Sequence, residues 1–276
     1  MLSRLYPASN PFMSLPRRMK ACVLIPSYNS GPLLRQTLAG VLEAWDDVFV
    51  VIDGSTDGSD ERIEDLANGT DARLRVHRMP ENQGKGSAVL QGITLAADEG
   101  FTHALTMDAD GQHPSDYISR FMETGKAHPE ALVLGKPVFG ASAPAIRVQG
   151  RKLSNGWANL ETCGWGIGDS LFGMRLYPIA PLKKVFSETW FARRFDFDPE
   201  VAVRLCWKGV PVINLPTPVK YLTVEEGGIS QFRYLRDNTL LTSMHIRLVT
   251  GFLLRLPVLI MRRGNPLKNH DPASND

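Results

Sequence analysis

From about residue 20 the chain alternates short runs of β-branched and aliphatic residues with stretches of helical period. No other feature constrains the fold as strongly. A-C-V-L-I-P (21–26), D-V-F-V-V-I-D (47–53), L-R-V-H (74–77), H-A-L-T-M-D (103–108) and A-L-V-L-G (131–135) read as strands. Between the first two, Leu34, Leu38, Val41, Leu42 and Trp45 fall on one helical face. Strands apolar on both faces and separated by helices predict an α/β fold with a mostly parallel sheet flanked by helices. Ligands of such sheets sit beyond the carboxyl ends of the strands. The loops at 26–29, 53–60 and 108–113 should therefore share one rim.

After Lys136 the rhythm changes. Residues 136–150 hold Pro, Gly, Ser and Ala without period and read as a mobile loop. A helix over 151–162, an apolar segment S-L-F-G-M-R-L-Y-P and a helix from Pro199 to Lys208 follow. The organisation expected is a flexible tail (1–19), one catalytic domain (20–230) and a C-terminal basic, apolar helical extension (231–276). The start is broken by three prolines and has no apolar stretch of signal-peptide length. In the extension, L-V-T-G-F-L-L-R-L-P-V-L-I-M-R-R (248–263) is interrupted by Arg255 and Pro257 and falls short of the roughly 20 residues of a bilayer span. With Arg233, Arg236, Arg247, Arg262 and Arg263 around it, an amphipathic helix lying on an anionic membrane surface is expected. Packing on the domain or in a homodimer is the alternative, and no full transmembrane span is expected.

Lys plus Arg number 31 against 29 for Asp plus Glu, so no whole-chain field points to nucleic acid as a partner. Cys22, Cys163 and Cys206 form no C-x-x-C pair and read as core thiols of a reducing, cytoplasmic compartment.

The chemistry concentrates at strand ends. T-M-D-A-D-G-Q-H-P (106–114) sets Asp108 and Asp110 two residues apart, where two hard oxygens can meet one Mg2+ or Mn2+ and leave positions for water and phosphate. Alone, this is equally a solvated turn with Asp110 in an Asx-turn. Asp53, in V-V-I-D-G-S-T-D-G-S, again follows a strand and is able to accept a base or sugar hydrogen bond, with Ser55 and Asp57 expected to cap the next helix. E-N-Q-G-K-G-S-A (81–88) puts glycines and Lys85 at a helix start, which favours an anion. It is no dinucleotide fingerprint, because Val89 stands where the third small residue should be, and no P-loop pattern occurs.

V-L-I-P-S-Y-N, V-I-D-G-S-T-D-G-S, N-Q-G-K-G-S-A and M-D-A-D-G-Q-H-P, in this order, resemble the family 2 glycosyltransferases of the GT-A fold over roughly residues 20–230. Within them the chain is similar to the dolichyl-phosphate mannose and glucose synthase branch. The resemblance implies a UDP- or GDP-sugar donor, a divalent metal and inversion. By position, Pro26, Ser27 and Tyr28 would line the nucleotide, Asp53 would contact its base or ribose end, and Lys85 would sit near the nucleotide or diphosphate. Asp108 would face ribose or metal, and Asp110 would bind the metal with Gln112. Ile52 stands where the family usually has the first of two aspartates.

F-D-F-D-P-E-V-A-V-R-L aligns Asp198 with the general base, although Asp-Pro also suits a helix start. Asp169 in I-G-D-S-L-F-G-M-R is the second candidate, or an anchor of the acceptor wall. His113 reads as a turn residue, and Trp157 and Trp165 as core. The implied activity is metal-dependent inverting transfer to a lipid-linked hydroxyl by a peripheral protein at the inner membrane face. A polyprenyl-phosphate acceptor is the alternative. Relatives of that kind carry an arginine after the fifth strand and another shortly before a G-x-S-K motif, where this chain has Lys136 and the acidic 225–231 stretch, although Arg147, Arg151 and Lys152 could substitute. A sugar-1-phosphate nucleotidyltransferase would need a Gly-rich basic loop after the first strand, and P-S-Y-N-S-G-P is not one.

Overall fold

The computed structural model describes residues 18–67, 73–139, 145–220, 234–262 and 264–268. Its strands are β1 (Ala21–Ser27), β2 (Val48–Asp53), β3 (Leu74–Met79), β4 (His103–Thr106), β5 (Leu132–Val138), β6 (Arg175–Pro178) and β7 (Val212–Pro218). They form one sheet in the order β3-β2-β1-β4-β6-β5-β7. The sheet is mixed: β6 runs antiparallel to both neighbours, and the other adjacent pairs are parallel.

The helices are α1 (Pro32–Ala44), α2 (Glu64–Ala67), α3 (Lys85–Asp98), α4 (Ile118–Ala127), α5 (Ala145–Glu161), α6 (Ile179–Ser187), α7 (Phe197–Trp207) and α8 (Tyr234–Met261). They cover both sheet faces, which is why the central strands carry no polar alternation. Successive side chains of β1 go to opposite sides: Cys22 and Leu24 join the core with α3 and α7, while Val23 and Ile25 join that with α1 and α4. Ile52 belongs to the second core and is 2% exposed. Isoleucine fits that position in this chain, where a carboxylate would be charged among aliphatic side chains.

The structure also corrects readings of the later sequence. The loop expected over 136–150 is shorter, because β5 continues to Val138 and α5 begins at Ala145. Cys163 is exposed rather than a core thiol, since it takes a left-handed φ of 53° as the chain leaves α5, whereas Cys22 and Cys206 are buried.

The C-terminal apolar segment is also longer than its composition suggested: α8 runs 28 residues through Arg255 and Pro257. Arg255 folds back to the carbonyl of Gly251 at 3.0 Å and lies 4.7 Å from the Trp207 ring centroid, so its charge does not break the helix. By length and composition alone, Arg236–Met261 is apolar enough to cross a membrane. Yet one side of α8 packs against α5 and α7. Asp237, Met244, Leu248 and Leu259 are buried, and Arg262 reaches the carbonyls of Cys206 and Thr162. The opposite face, with Ile246, Leu253, Leu254, Ile260 and Met261, is exposed.

Candidate active site

β1, β2 and β4 end side by side, and the loops that follow meet there. Ser27, the last residue of β1, bonds the Ser30 hydroxyl at 2.9 Å, with Pro26 buried before it and Tyr28 half-buried at the loop mouth. Asp53 is 2% exposed, and its carboxylate accepts the amides of Gln83 and Gly84, both at 2.8 Å, and the Asn82 amide group at 3.0 Å. Its first task is thus mechanical: it fixes the start of α3 against the end of β2. Gly54 (φ +63°) allows this approach, since a Cβ there would lie 2.4 Å from the Glu81 backbone.

Ser55 and Asp57 do not cap a helix. They accept the amides of Asn29 and Gly31, at 3.0 and 2.9 Å, and so brace the loop after β1 against the loop after β2.

The other side of the α3 start is held by residues 192–194. The Arg193 carbonyl accepts the Ser87 amide at 3.1 Å, Arg194 reaches Asn82 at 3.3 Å, and Asp196 takes the amides of Ala192 and Arg194. Gly86 leaves no room for a side chain, since a Cβ there would sit 2.0 Å from the Ala192 carbonyl oxygen. Gly86→Ala should destabilise the fold by about 1–3 kcal/mol. Urea denaturation checks this, and a midpoint equal to the parent's would show that the 192–194 segment yields freely.

Asp108 and Asp110 lie in the turn after β4. The antiparallel register pairs Thr106 with Arg175, and continued two residues it sets Gly173 against Asp108. A Cβ at 173 would lie 2.4 Å from Asp108 Oδ2, so the carboxylate has its space because residue 173 is glycine. The turn is closed by His113, buried against Phe172, whose Nδ1 accepts the Asp108 amide at 2.9 Å. Asp110 accepts the Gln112 amide at 3.1 Å in an Asx-turn, while the Gln112 carbonyl accepts the Lys220 amide.

Lys85 Nζ lies 2.7 Å from Asp108 Oδ1 and 2.7 Å from Asp198 Oδ2, bridging the two carboxylates. Burial works against the Lys85 charge, but the two acids outweigh it and hold its pKa above the ordinary lysine value. Burial would raise Asp108 as well; Lys85, His113 and Arg175 instead bring it down to about 2. Asp110 goes the other way, raised by burial and by the charge of Asp108.

Asp198 is not the helix cap that Asp-Pro suggested: Asp196 holds that position, and Asp198 sits in the first turn of α7 facing Lys85. Beneath it Arg175 is fully buried, donating to the carbonyls of Phe172 and Asp198, with Nε 3.9 Å from Asp198 Oδ1. Arg175 and Gly173 are the site residues that the motifs did not single out, although both stand in the F-G-M-R segment.

Asp169 is committed elsewhere. One oxygen accepts the amides of Leu171 and Phe172 and the Arg151 guanidinium at 2.9, 2.7 and 2.8 Å, fastening this turn to α5. Trp165 is core, donating to the Val210 carbonyl, whereas Trp157 is 40% exposed beside His245. Arg233, Arg263, the 225–231 stretch and the Arg147 side chain lie outside the described residues.

Among the described residues no group of three or more His, Cys, Asp or Glu is gathered to hold a metal. Two carboxylates on one tight turn still suit a hard divalent cation whose remaining ligands are water and substrate phosphate oxygens.

The Glycosyl transferase family 2 model matches residues 22–186. The polyprenol monophosphomannose synthase of Mycolicibacterium smegmatis is 26% identical over 217 residues, covering 77% of this chain and 80% of that protein. The undecaprenyl-phosphate mannosyltransferase of Micrococcus luteus is 24% identical over 212 residues, covering 72% and 82%. Among solved structures, glucosyl-3-phosphoglycerate synthase from Mycobacterium tuberculosis, in complex with Mn2+, uridine diphosphate and glucosyl-3-phosphoglycerate, aligns with TM-score 0.58 and 15% identity over 86% of this chain and 80% of that one. That likeness carries the fold alone, while the family match spans more than half of the sequence. The chain belongs to glycosyltransferase family 2, with a GT-A-like fold that ends in a basic, apolar helix.

Proposed function

We propose that the protein transfers a sugar, with inversion, from a UDP- or GDP-sugar to a lipid-linked acceptor at the membrane surface. The observation that carries this reading is the meeting of Asp108, Lys85 and Asp198 within single hydrogen-bond distances at the open end of the sheet. Asp108 and Asp110 would hold Mg2+ or Mn2+, which when bound supplies positive charge to a departing nucleoside diphosphate. Pro26, Ser27, Tyr28 and the loop fixed by Asp53 would hold the nucleoside, and the start of α3 with Lys85 would face the diphosphate. Asp198 would take the proton of an acceptor hydroxyl, with Arg175 keeping its carboxylate aimed.

A polyprenyl-phosphate acceptor is the second reading, favoured by the names of the relatives and by Arg151, which Asp169 holds partly exposed at the N-terminal half of α5. Lys152, next to it on α5, and Lys136, on β5, are exposed. The test is a panel of nucleotide sugars screened by thermal shift with and without Mn2+, because a ligand of the native state raises its stability. A metal-dependent shift with at least one UDP- or GDP-sugar is expected, and none with any donor would refute the proposal.

The exposed apolar face of α8 suits a bilayer interface, and Trp190, 92% exposed on the loop beside it, adds an aromatic anchor. Arg247 ties the two together, stacked 3.9 Å from the Phe191 ring and paired with Glu200. Replacing Leu253, Leu254 and Ile260 by serine should weaken flotation with anionic vesicles by at least about tenfold, since each loses apolar area that the bilayer would cover. Undiminished flotation would instead point to a second copy of the chain, or to protein packing, as the cover of this face.

A further inference from the structure

We infer that Lys85 is an internal cation that occupies Asp108 until a nucleoside diphosphate draws it away, so that divalent metal binding depends on the nucleotide. The inference rests on the glycosyltransferase site proposed above and adds a device to it. Lys85 opens α3 and is 16% exposed, and its ammonium lies 2.7 Å from an oxygen of each of two acids that come from the turn after β4 and from α7. A divalent ion sharing Asp108 with that ammonium would meet its charge at close range, in surroundings that screen poorly. Metal binding to the nucleotide-free protein is therefore opposed by the protein's own cation.

Arg175 does not take this part. Its guanidinium is fully buried and anchored to the carbonyls of Phe172 and Asp198. Lys85 carries its charge on a flexible four-carbon stem at a helix N-terminus, the place where a diphosphate would be received. Phosphate oxygens there offer the ammonium a new partner. One displacement then frees Asp108 for the metal and Asp198 for the acceptor proton, so that both stay paired with the ammonium until the donor arrives. The coupling is reciprocal, and metal must tighten nucleotide binding by the factor by which nucleotide tightens metal.

The test is titration of the full chain with Mn2+, followed by the electron paramagnetic resonance of free aqueous Mn2+, with and without UDP or GDP, each against a blank of the same nucleotide and Mn2+ without protein, because the diphosphate itself chelates Mn2+. The parent should bind Mn2+ at least about tenfold more tightly when the diphosphate is present, within the usual range of such couplings. Lys85→Met should bind Mn2+ alone at least about tenfold more tightly than the parent, so that the nucleotide effect shrinks to what the phosphate oxygens add as ligands, whereas Lys85→Arg should behave as the parent. Lys85→Gln is the second neutral variant, and thermal unfolding identifies those that fold. Equal Mn2+ affinity of the parent with and without diphosphate would overturn the inference, whatever the variants do. Neutral variants that bind diphosphate but take up Mn2+ no better than the parent would overturn it while leaving the glycosyltransferase site standing. A parent that binds neither Mn2+ nor diphosphate would overturn both.

Discussion

Asp110→Asn is expected to lower sugar transfer by about a thousandfold while leaving the protein as stable as its parent, or more so, at neutral pH. Asparagine keeps a side-chain oxygen for the Gln112 amide, so the Asx-turn survives and only the charge is lost. That charge is unfavourable in the folded chain, where burial and Asp108 raise the carboxyl pKa above its ordinary value. A carboxyl with a raised folded pKa contributes stability below its unfolded pKa, and the contribution is lost as pH rises through the folded value. At pH 7 the parent therefore carries a penalty that the variant lacks, and the gap should close as the pH is lowered through the carboxylate range. Melting temperatures at pH 7 and pH 4, beside initial rates, give the two readouts. Transfer within about tenfold of the parent would remove Asp110 from the metal site, because a lost metal ligand should cost several kcal/mol of transition-state stabilisation.

Asp198→Asn should leave nucleotide binding intact and reduce transfer to a hydroxyl acceptor by about 10²–10⁴-fold, the usual contribution of a positioned base. The fold should survive, since Lys85 retains Asp108 and Arg175 retains its two carbonyl partners. The same variant separates the acceptor classes. A polyprenyl phosphate is already ionised and needs no base, so transfer to it should persist. Loss with a hydroxyl acceptor alone supports the first reading, and undiminished transfer to a hydroxyl removes Asp198 from the base position. Asp169 is a poor substitute, because its carboxylate is taken up by two backbone amides and Arg151. Exchanging it should damage the turn before it affects any proton transfer.

Much of the central sheet was legible because buried strands must be apolar on both faces, and helices must have one apolar side. The local pattern therefore already named β1 to β5. It did not announce β6, whose four residues are too few for a period and begin with a charged Arg175. It also misjudged α8, where Arg255 and Pro257 were read as interruptions. The interaction of Arg255 with Trp207, a residue far away in sequence, removes that objection.

At the candidate site, the acids and the lysine were visible as motifs because each stands just beyond a strand or at a helix start. Their division of labour was not. Ser55 and Asp57 brace a neighbouring loop instead of a helix, a use that depends on β1 and β2 lying side by side. Asp198 faces Lys85 across 113 positions of sequence, a separation over which no spacing rule operates.

The sequence by itself determined the α/β layering and the rim of polar groups around T-M-D-A-D-G-Q-H-P, because period and strand-end chemistry are local properties. Only the tertiary structure decided that β6 returns antiparallel. That return sets Gly173 against Asp108, and Arg175, at the start of the strand, lies beneath Asp198. It likewise decided that one lysine bridges two acids from different segments. Electrostatic partners are chosen by distance in space, and in this chain that distance is set by how the sheet is ordered.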